Sequence, residues 1–336
     1  MLGLVGSACG GDDGDKTVRE NTGKLRVGFV NFQEISVWRD EENRSVQAEA
    51  EKRGYELVYR NSVDESRQAD DIEELAAMGL DGIFLAPKVV SLASSVVSAS
   101  KAGVPIILLD RGVDESVAKP GQDYLTLMSS DFALEGKMVA EWVNDHLGEF
   151  EAKWGAMPAG GWPALELEGS MGADPAIKRK QGFDAEIAAN GGGKVNIVAS
   201  ITANFDDAKA KEVTTAQLAA HPDLKIIYTH NDGMAMGAIS AIEAAGLKPS
   251  DFMIVSIDGA KMATQAIFDG KMNLTVTCNP SFGPSAFDKL EAFLAGQSLP
   301  THIVTSDVAC DLAAVMQAFG NTDDAHEPCD GFGSAN

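Results

Sequence analysis

The sequence predicts an α/β protein made of two doubly wound units, each a parallel sheet with helices on both faces. Three observations carry this reading. From residue 24 onward, short apolar runs alternate with amphipathic helical patterns, most of them closed by a glycine. The runs "GIFLA" and "PIILL" are continuously apolar, as strands buried on both sides must be. Three apolar runs end at an acid with a glycine within two residues: "VPIILLDRG" at Asp110, "KIIYTHNDG" at Asp232 and "SIDG" at Asp258.

The elements follow in order. "KLRVGFV" is a strand, and residues 38–53 are a helix that stops at Gly54. "YELVYR" is the next strand, and residues 67–78 are an amphipathic helix closed by Gly79. "DGIFLAP", a helix over 92–102, and "VPIILLD" complete a βαβαβα run. "YLTLMSS" leads into a helix over 132–146. "EFEAKWGAMPAGGWP" then reads as a break in surface structure. The alternation resumes with "ALELEG", a helix to Ala189, "VNIVASI", a helix over 206–220 and "KIIYTH". It continues with helix 234–245, "FMIVSID", helix 261–268, "LTVTCN", helix 284–295 and a strand near 302–306. "GGG" at 191–193 sits between a helix and a strand and reads as a C-cap and turn. The last fifteen or so residues read as mostly unstructured. One doubly wound unit lies before about residue 130 and one after, with the same period, as a duplicated architecture would give.

Composition narrows the function. The 336 residues are enough for two medium domains. Net charge is −23, from 27 basic and 50 acidic side chains, which argues against nucleic acid and against an anionic membrane surface. No run of about 20 apolar residues exists to span a bilayer. The start, "MLGLVGSACGGDDGDK", is similar to the end of a bacterial lipoprotein signal, with Cys9 as the lipidated residue and residues 11–16 as a tether. Gly6 departs from the usual Leu or Val, and no basic region precedes it; the alternative is an unstructured start with a chance cysteine. Cys310 and Cys329 form a disulfide if the protein is exported; otherwise they and Cys278 are free thiols.

Ligands of open parallel sheets bind beyond the carboxyl ends of the strands. Asp110, Arg111, Asn231 and Asp258 stand there, with Arg179 near a helix start and Trp38 and Arg39 after the first strand. Asp232 reads as the N-cap of the following helix, leaving Asn231 as the ligand contact. Carboxylates and amides beside the planar fork of arginine match ring hydroxyls, which both donate and accept, while aromatic faces stack on sugar C–H faces. No G-x-S-x-G, P-loop or Cys/His cluster suggests a nucleophile, nucleotide or metal. His230 stands at a strand exit without an evident partner. Asp110 and Asp258 could serve as a glycosidase pair by position. The adjacent arginines argue against it, because they should hold both acids ionised.

"VPIILLDRG", "LEGSMGADPAIKRKQGF", "THNDGMAMGAISAIEAAG" and "IVSIDG" resemble, in order and spacing, the ribose-type periplasmic sugar-binding proteins over about residues 24–306. "SVWRDEEN" and "FLAP" are similar to the galactofuranose-binding proteins of ABC transporters. The resemblance implies a type I periplasmic-binding fold: two lobes, three hinge crossings and a monosaccharide held between. It implies a lobe of residues 24–129 with 280–304, a lobe of 130–279 with 305–320, a tether at 1–23 and a tail at 321–336. It implies sugar contacts from Trp38, Arg39, Asp110, Arg111, Arg179, Phe205 (as a stacking ring), Asn231, Asp258 and Asn279. It further implies an ABC permease and ATPase as partners, no cofactor or metal, no catalysis, a monomer, and a periplasmic or extracellular location, with lipid at Cys9. Ala86 replaces the asparagine of ribose binders, which argues against ribose. A sensor that docks on a receptor and a sugar-active hydrolase are the alternatives. A repressor of the same superfamily would need a helix-turn-helix, which the Gly/Asp-rich residues 1–23 do not supply.

Overall fold

In the computed structural model, residues 24–320 and 329–332 are described; Cys9 and the rest of the tail lie outside them. The first run of elements is β1 (Arg26–Phe32), α1 (Val37–Arg53), β2 (Glu56–Ser62), α2 (Glu65–Ala76), β3 (Gly82–Leu85), α3 (Ala93–Ser100), β4 (Ile106–Leu109) and β5 (Thr126–Ser130). The second is α4 (Phe132–Trp154), β6 (Trp162–Glu168), α5 (Asp174–Asn190), β7 (Val195–Thr202), α6 (Asp207–Ala220) and β8 (Ile226–Thr229). It continues with α7 (Asp232–Ala244), β9 (Met253–Asp258), α8 (Lys261–Phe268) and β10 (Leu274–Thr277). The last elements are α9 (Gly283–Leu294), β11 (His302–Thr305), β12 (Ala309–Asp311) and α10 (Leu312–Gly320).

These strands form two six-stranded sheets, in the orders β11-β5-β4-β3-β1-β2 and β12-β10-β9-β8-β6-β7. The orders are equivalent position by position, so the duplicated architecture read from the period is present. Every pairing is parallel except β10 with β12, which runs antiparallel at the sheet edge. The chain passes between the sheets three times: from β5 into α4, from β10 into α9, and from β11 into β12. This is the type I periplasmic-binding fold, two Rossmann-like lobes on a three-segment hinge.

Local chemistry explains the boundaries. Ser36, Asp64, Asp131, Asp206 and Asn231 each cap a helix by accepting a backbone N–H three residues on. Gly54 closes α1 in the left-handed region at φ 69°. The long helix was expected to stop at His146 and instead runs to Trp154. Leu147, Phe150 and Trp154 extend its apolar face, and Trp154 packs on Trp162 at 5.0 Å between ring centroids. The helix expected over 92–102 runs as α3 over Ala93–Ser100, with Leu92 ending a 3₁₀ turn that begins at Val90. The edge strand β12 and helix α10 lie beyond the last expected strand. A disulfide joins Cys310 of β12 to Cys329, leaving Cys278 as the free cysteine among the described residues.

The helices α4 and α5 approach backbone to backbone. A Cβ on Gly136 would sit 2.1 Å from the Arg179 carbonyl oxygen, and one on Gly182 would sit 1.9 Å from that of Ala133. This contact seats Arg179, on α5, beside Glu135, on α4. Gly182→Ala should therefore force the helices apart and cost about 1–3 kcal/mol, seen as a fall of several degrees in the melting temperature. Gly148→Ala, in the same α4 but facing open space, should leave the melting temperature unchanged or raise it.

Candidate ligand-binding cleft

A small cavity lies between the lobes. Its walls include Trp38, Arg39, Asp110, Arg111, Arg179, Phe205, Asn231 and Asp258. Eight of the nine residues expected from sequence are thus brought together. Asn279 is not among them: its side chain is exposed and its Oδ1 accepts the Ser281 N–H at 2.8 Å, making a local turn. Its neighbour Cys278 lines the cavity instead.

The strand ends explain the convergence. Asp110 follows β4, Asn231 follows β8 and Asp258 ends β9, all at carboxyl termini. Four non-glycine residues among those described have left-handed φ: Asp110 at 61°, Asn204 and Phe205 at 60°, and Asp258 at 134°. Three of the four line the cavity. Such backbone persists where the surroundings over-determine it, and it clusters at ligand sites.

The cleft is organised by three buried arginines. Arg39 donates to Glu42 at 2.5 Å and to Asp110 at 2.7 Å. Arg111 donates to Glu34 at 3.0 Å and lies 3.4 Å from Asp110. Their guanidiniums sit over the Phe32 ring, 4.5 and 4.6 Å from its centroid, and Arg111 also covers Phe205 at 5.3 Å. Arg179 donates to Glu135 at 2.7 Å and to the His230 carbonyl at 2.5 Å, and stands 3.6 Å from Asp258. Trp38 donates its indole N–H to the Cys278 carbonyl at 2.7 Å, tying the first lobe to the hinge.

Two expectations are corrected. Asp232 is not the N-cap. Asn231 caps α7 through the Met234 N–H, while Asp232 turns inward and accepts from the Ala260 N–H at 2.7 Å and the Thr275 hydroxyl at 2.8 Å. Burial, moderated by these donors, raises Asp232 to about 6. His230 does have partners: Nε2 meets Glu166 at 3.1 Å and Nδ1 accepts the Gly169 N–H at 3.3 Å, and burial lowers its pKa, so the ring is a neutral strut.

The electrostatics also depart from expectation. Burial would raise Glu34, but the charges of Arg111 and Arg39 outweigh it and the acid is lowered. At Asp258 burial wins over Arg179, and Asp232 and Glu135 push the same way, so its pKa is raised well above the usual range. Arginine proximity alone therefore does not hold that acid ionised. Glu42 and Glu135 are raised for the same reason, burial exceeding the attraction of Arg39 and Arg179. Sequence reasoning missed Glu34, Ser36, Pro175 and Cys278 on the wall and Glu42 and Glu135 behind it. The acids of "NFQEISVWRDEEN" were visible as a cluster, but their inward facing depends on the turn after β1.

Across the cleft, Asp174 at the start of α5 accepts the Gly112 N–H of the opposite lobe at 3.1 Å, and Gly172 accepts from Val90 at 3.0 Å.

A polar cavity between two like lobes joined by a three-segment hinge is the design of bilobal solute-binding proteins. The chain belongs to the periplasmic binding protein domain family, whose model matches residues 27–298. It is 36% identical over 282 residues to the galactofuranose-binding protein YtfQ of Escherichia coli K12, covering 82% of this chain and 84% of that protein. A Mycobacterium smegmatis structure in complex with β-D-fucofuranose superposes with a TM-score of 0.80 at 35% identity, covering 88% of this chain and 94% of that one. The arabinose-transporter binding protein of Shewanella sp. ANA-3, bound to α- and β-L-arabinofuranose, gives 0.78 at 33% identity, covering 87% and 93%.

A pH prediction follows from the third crossing. Asp307 stands there with Oδ1 buried and without a hydrogen bond to any described residue, and burial together with the Glu135 charge raises it to about 7. An unfolded aspartate titrates near 3.9. The folded protein thus holds this proton more tightly, so its contribution is full below about pH 4 and is lost as pH rises through about 7. Asp307→Asn stays neutral throughout. The melting temperature of Asp307→Asn relative to the unaltered protein should rise between pH 5 and pH 8; a constant difference contradicts the assignment.

Proposed function

We propose that this chain is an extracytoplasmic solute-binding protein that captures a monosaccharide in its furanose form and presents it to an ABC importer. The supporting observation is the cavity wall: guanidiniums, carboxyls and an amide facing two aromatic side chains, enclosed by both lobes. Nε of Arg39 and Nε of Arg111 are buried donors with no hydrogen bond to a described residue, and a sugar hydroxyl would satisfy them. Arg39 and Asp110, held together at 2.7 Å, offer a donor and an acceptor side by side. Burial raises the Asp258 pKa, and in its neutral form this carboxyl would donate as well as accept, while Phe205 offers a stacking face. The relatives named above bind galactofuranose, or are seen with fucofuranose or arabinofuranose bound, and we extend that ligand class to this chain.

In this reading the lobes close on the sugar through Asp174–Gly112 and Gly172–Val90, and the closed surface is what a permease recognises. Nothing in the cleft needs to make or break a bond: binding and release are the whole task. We assign lipid attachment to Cys9, a monomeric state, and lobes of 24–129 with 280–304 and 130–279 with 305–320.

A thermal-shift panel of galactose, L-arabinose, fucose, ribose, glucose and fructose tests this. A sugar at 100 times its dissociation constant adds about 2.7 kcal/mol, a rise of several degrees. Asp258→Ala and Arg111→Ala should abolish the rise, and Asp174→Ala should reduce it by loosening closure. A protein free of co-purified sugar that shifts with none of these contradicts the proposal.

A further inference from the structure

The tail returns to the binding site. After the disulfide at Cys329, residues 330–332 run alongside the turn that follows Asp258. Phe332 pairs with Ala260 as a parallel bridge, its carbonyl accepts the Lys261 N–H at 2.9 Å, and its N–H reaches the Gly259 carbonyl at 3.3 Å. Gly331, at φ 82°, lies against Lys261, where a Cβ would come within 2.6 Å of the Lys261 Cα. The Phe332 ring packs against the hydrophobic core.

The other end of the disulfide is anchored on the same turn. Cys310 stands opposite Thr275 in the β12–β10 ladder, and the Thr275 hydroxyl accepts the Gly259 N–H at 3.0 Å. Asp232 takes the Ala260 N–H. Every backbone N–H from Gly259 to Lys261 is thus held, and the tail supplies the last of them. The turn needs such restraint because Asp258 holds φ 134°, sparsely populated for a residue with a side chain.

We propose that the Cys329–Phe332 segment, fastened by the Cys310–Cys329 disulfide, is a clasp that positions Asp258 for sugar binding. The inference rests on the sugar-binding reading of the cleft. Phe332 is not among the residues that line the cavity; it acts through the Gly259–Lys261 backbone. The disulfide tethers this short segment close beside the turn, raising its effective concentration there, so the two hydrogen bonds of the bridge suffice to keep it in place.

The test compares three variants of the full chain with the unaltered protein. One ends after residue 328, one is Cys310→Ser/Cys329→Ser, and one is Gly331→Ala, which displaces the clasp while leaving the disulfide intact. Affinity is measured calorimetrically with whichever of galactose, L-arabinose and fucose stabilises the unaltered protein, and hydrogen exchange is followed over residues 258–262. All three variants should bind about tenfold more weakly and exchange faster at residues 259–261. Ile239→Ala, a buried α7 change outside the cleft wall, should lower the melting temperature without weakening affinity. Folded Gly331→Ala and truncated proteins that bind within about twofold of the unaltered protein overturn the proposal. Equal weakening by Ile239→Ala also overturns it, since general destabilisation would then suffice. If the unaltered protein binds none of the three sugars, the reading of the cleft fails first and the clasp's role in sugar binding falls with it.

Discussion

A buried guanidinium must be paired, and that requirement organises this molecule. Arg39, Arg111 and Arg179 are each less than 4% exposed, and no one element could satisfy any of them. Arg39 leaves α1 to meet the exit of β4 at Asp110. Arg111 reaches back to the turn after β1 at Glu34. Arg179, on α5, takes an acid from α4, a carbonyl from the end of β8 and the vicinity of Asp258 at the end of β9. Loops that would otherwise be free are fixed by these demands. The strained backbone at Asp110 and Asp258 is what places their carboxyls within reach.

The same pairs show why the pocket suits a neutral polyol. Five carboxyls, Glu34, Glu42, Asp110, Glu135 and Asp258, surround three arginines. Full ionisation would leave an uncompensated negative charge in a region shielded from water. Glu34 is driven toward its charged form and Glu42, Glu135 and Asp258 toward their neutral forms. Of these, Asp258 is on the wall, and in its neutral form it would donate as well as accept, which widens the set of hydroxyl orientations the wall can meet. A ligand with no formal charge enters this balance without disturbing it.

Much of this was legible in the sequence, and the reason differs by element. Strands such as "PIILL" and "GIFLA" were clear because both-face burial leaves an unbroken apolar run. Asp110, Arg111, Asn231 and Asp258 were clear because strand exits of parallel sheets converge. The long α4 was cut short because Gly148 and the Gly/Pro-rich stretch beyond Trp154 resemble a break, while the Trp154–Trp162 contact that sustains the last turns is tertiary. The cap went to Asn231 rather than Asp232 because both can cap a helix, and the hydroxyl and N–H donors that draw Asp232 inward come from Ser256, Thr275 and Ala260, distant in sequence. Asn279 was placed by motif position alone, and the turn it makes with Ser281 points it away. Glu34 depends on the path of a turn that no periodicity encodes.

Cys278 gives the cleft an internal reporter. The thiol is 2% exposed, lines the cavity beside the hinge, and has a pKa raised well above normal by burial. With the lobes together it is shielded from alkylating reagents and held as the unreactive thiol. Parting of the lobes would admit both reagent and water, and the acidity of the group would recover. If the lobes part as proposed, the rate at which this sulfur is labelled would track the fraction of time they spend apart, with no fluorophore or engineered residue, and a captured ligand would register as silence at that one atom.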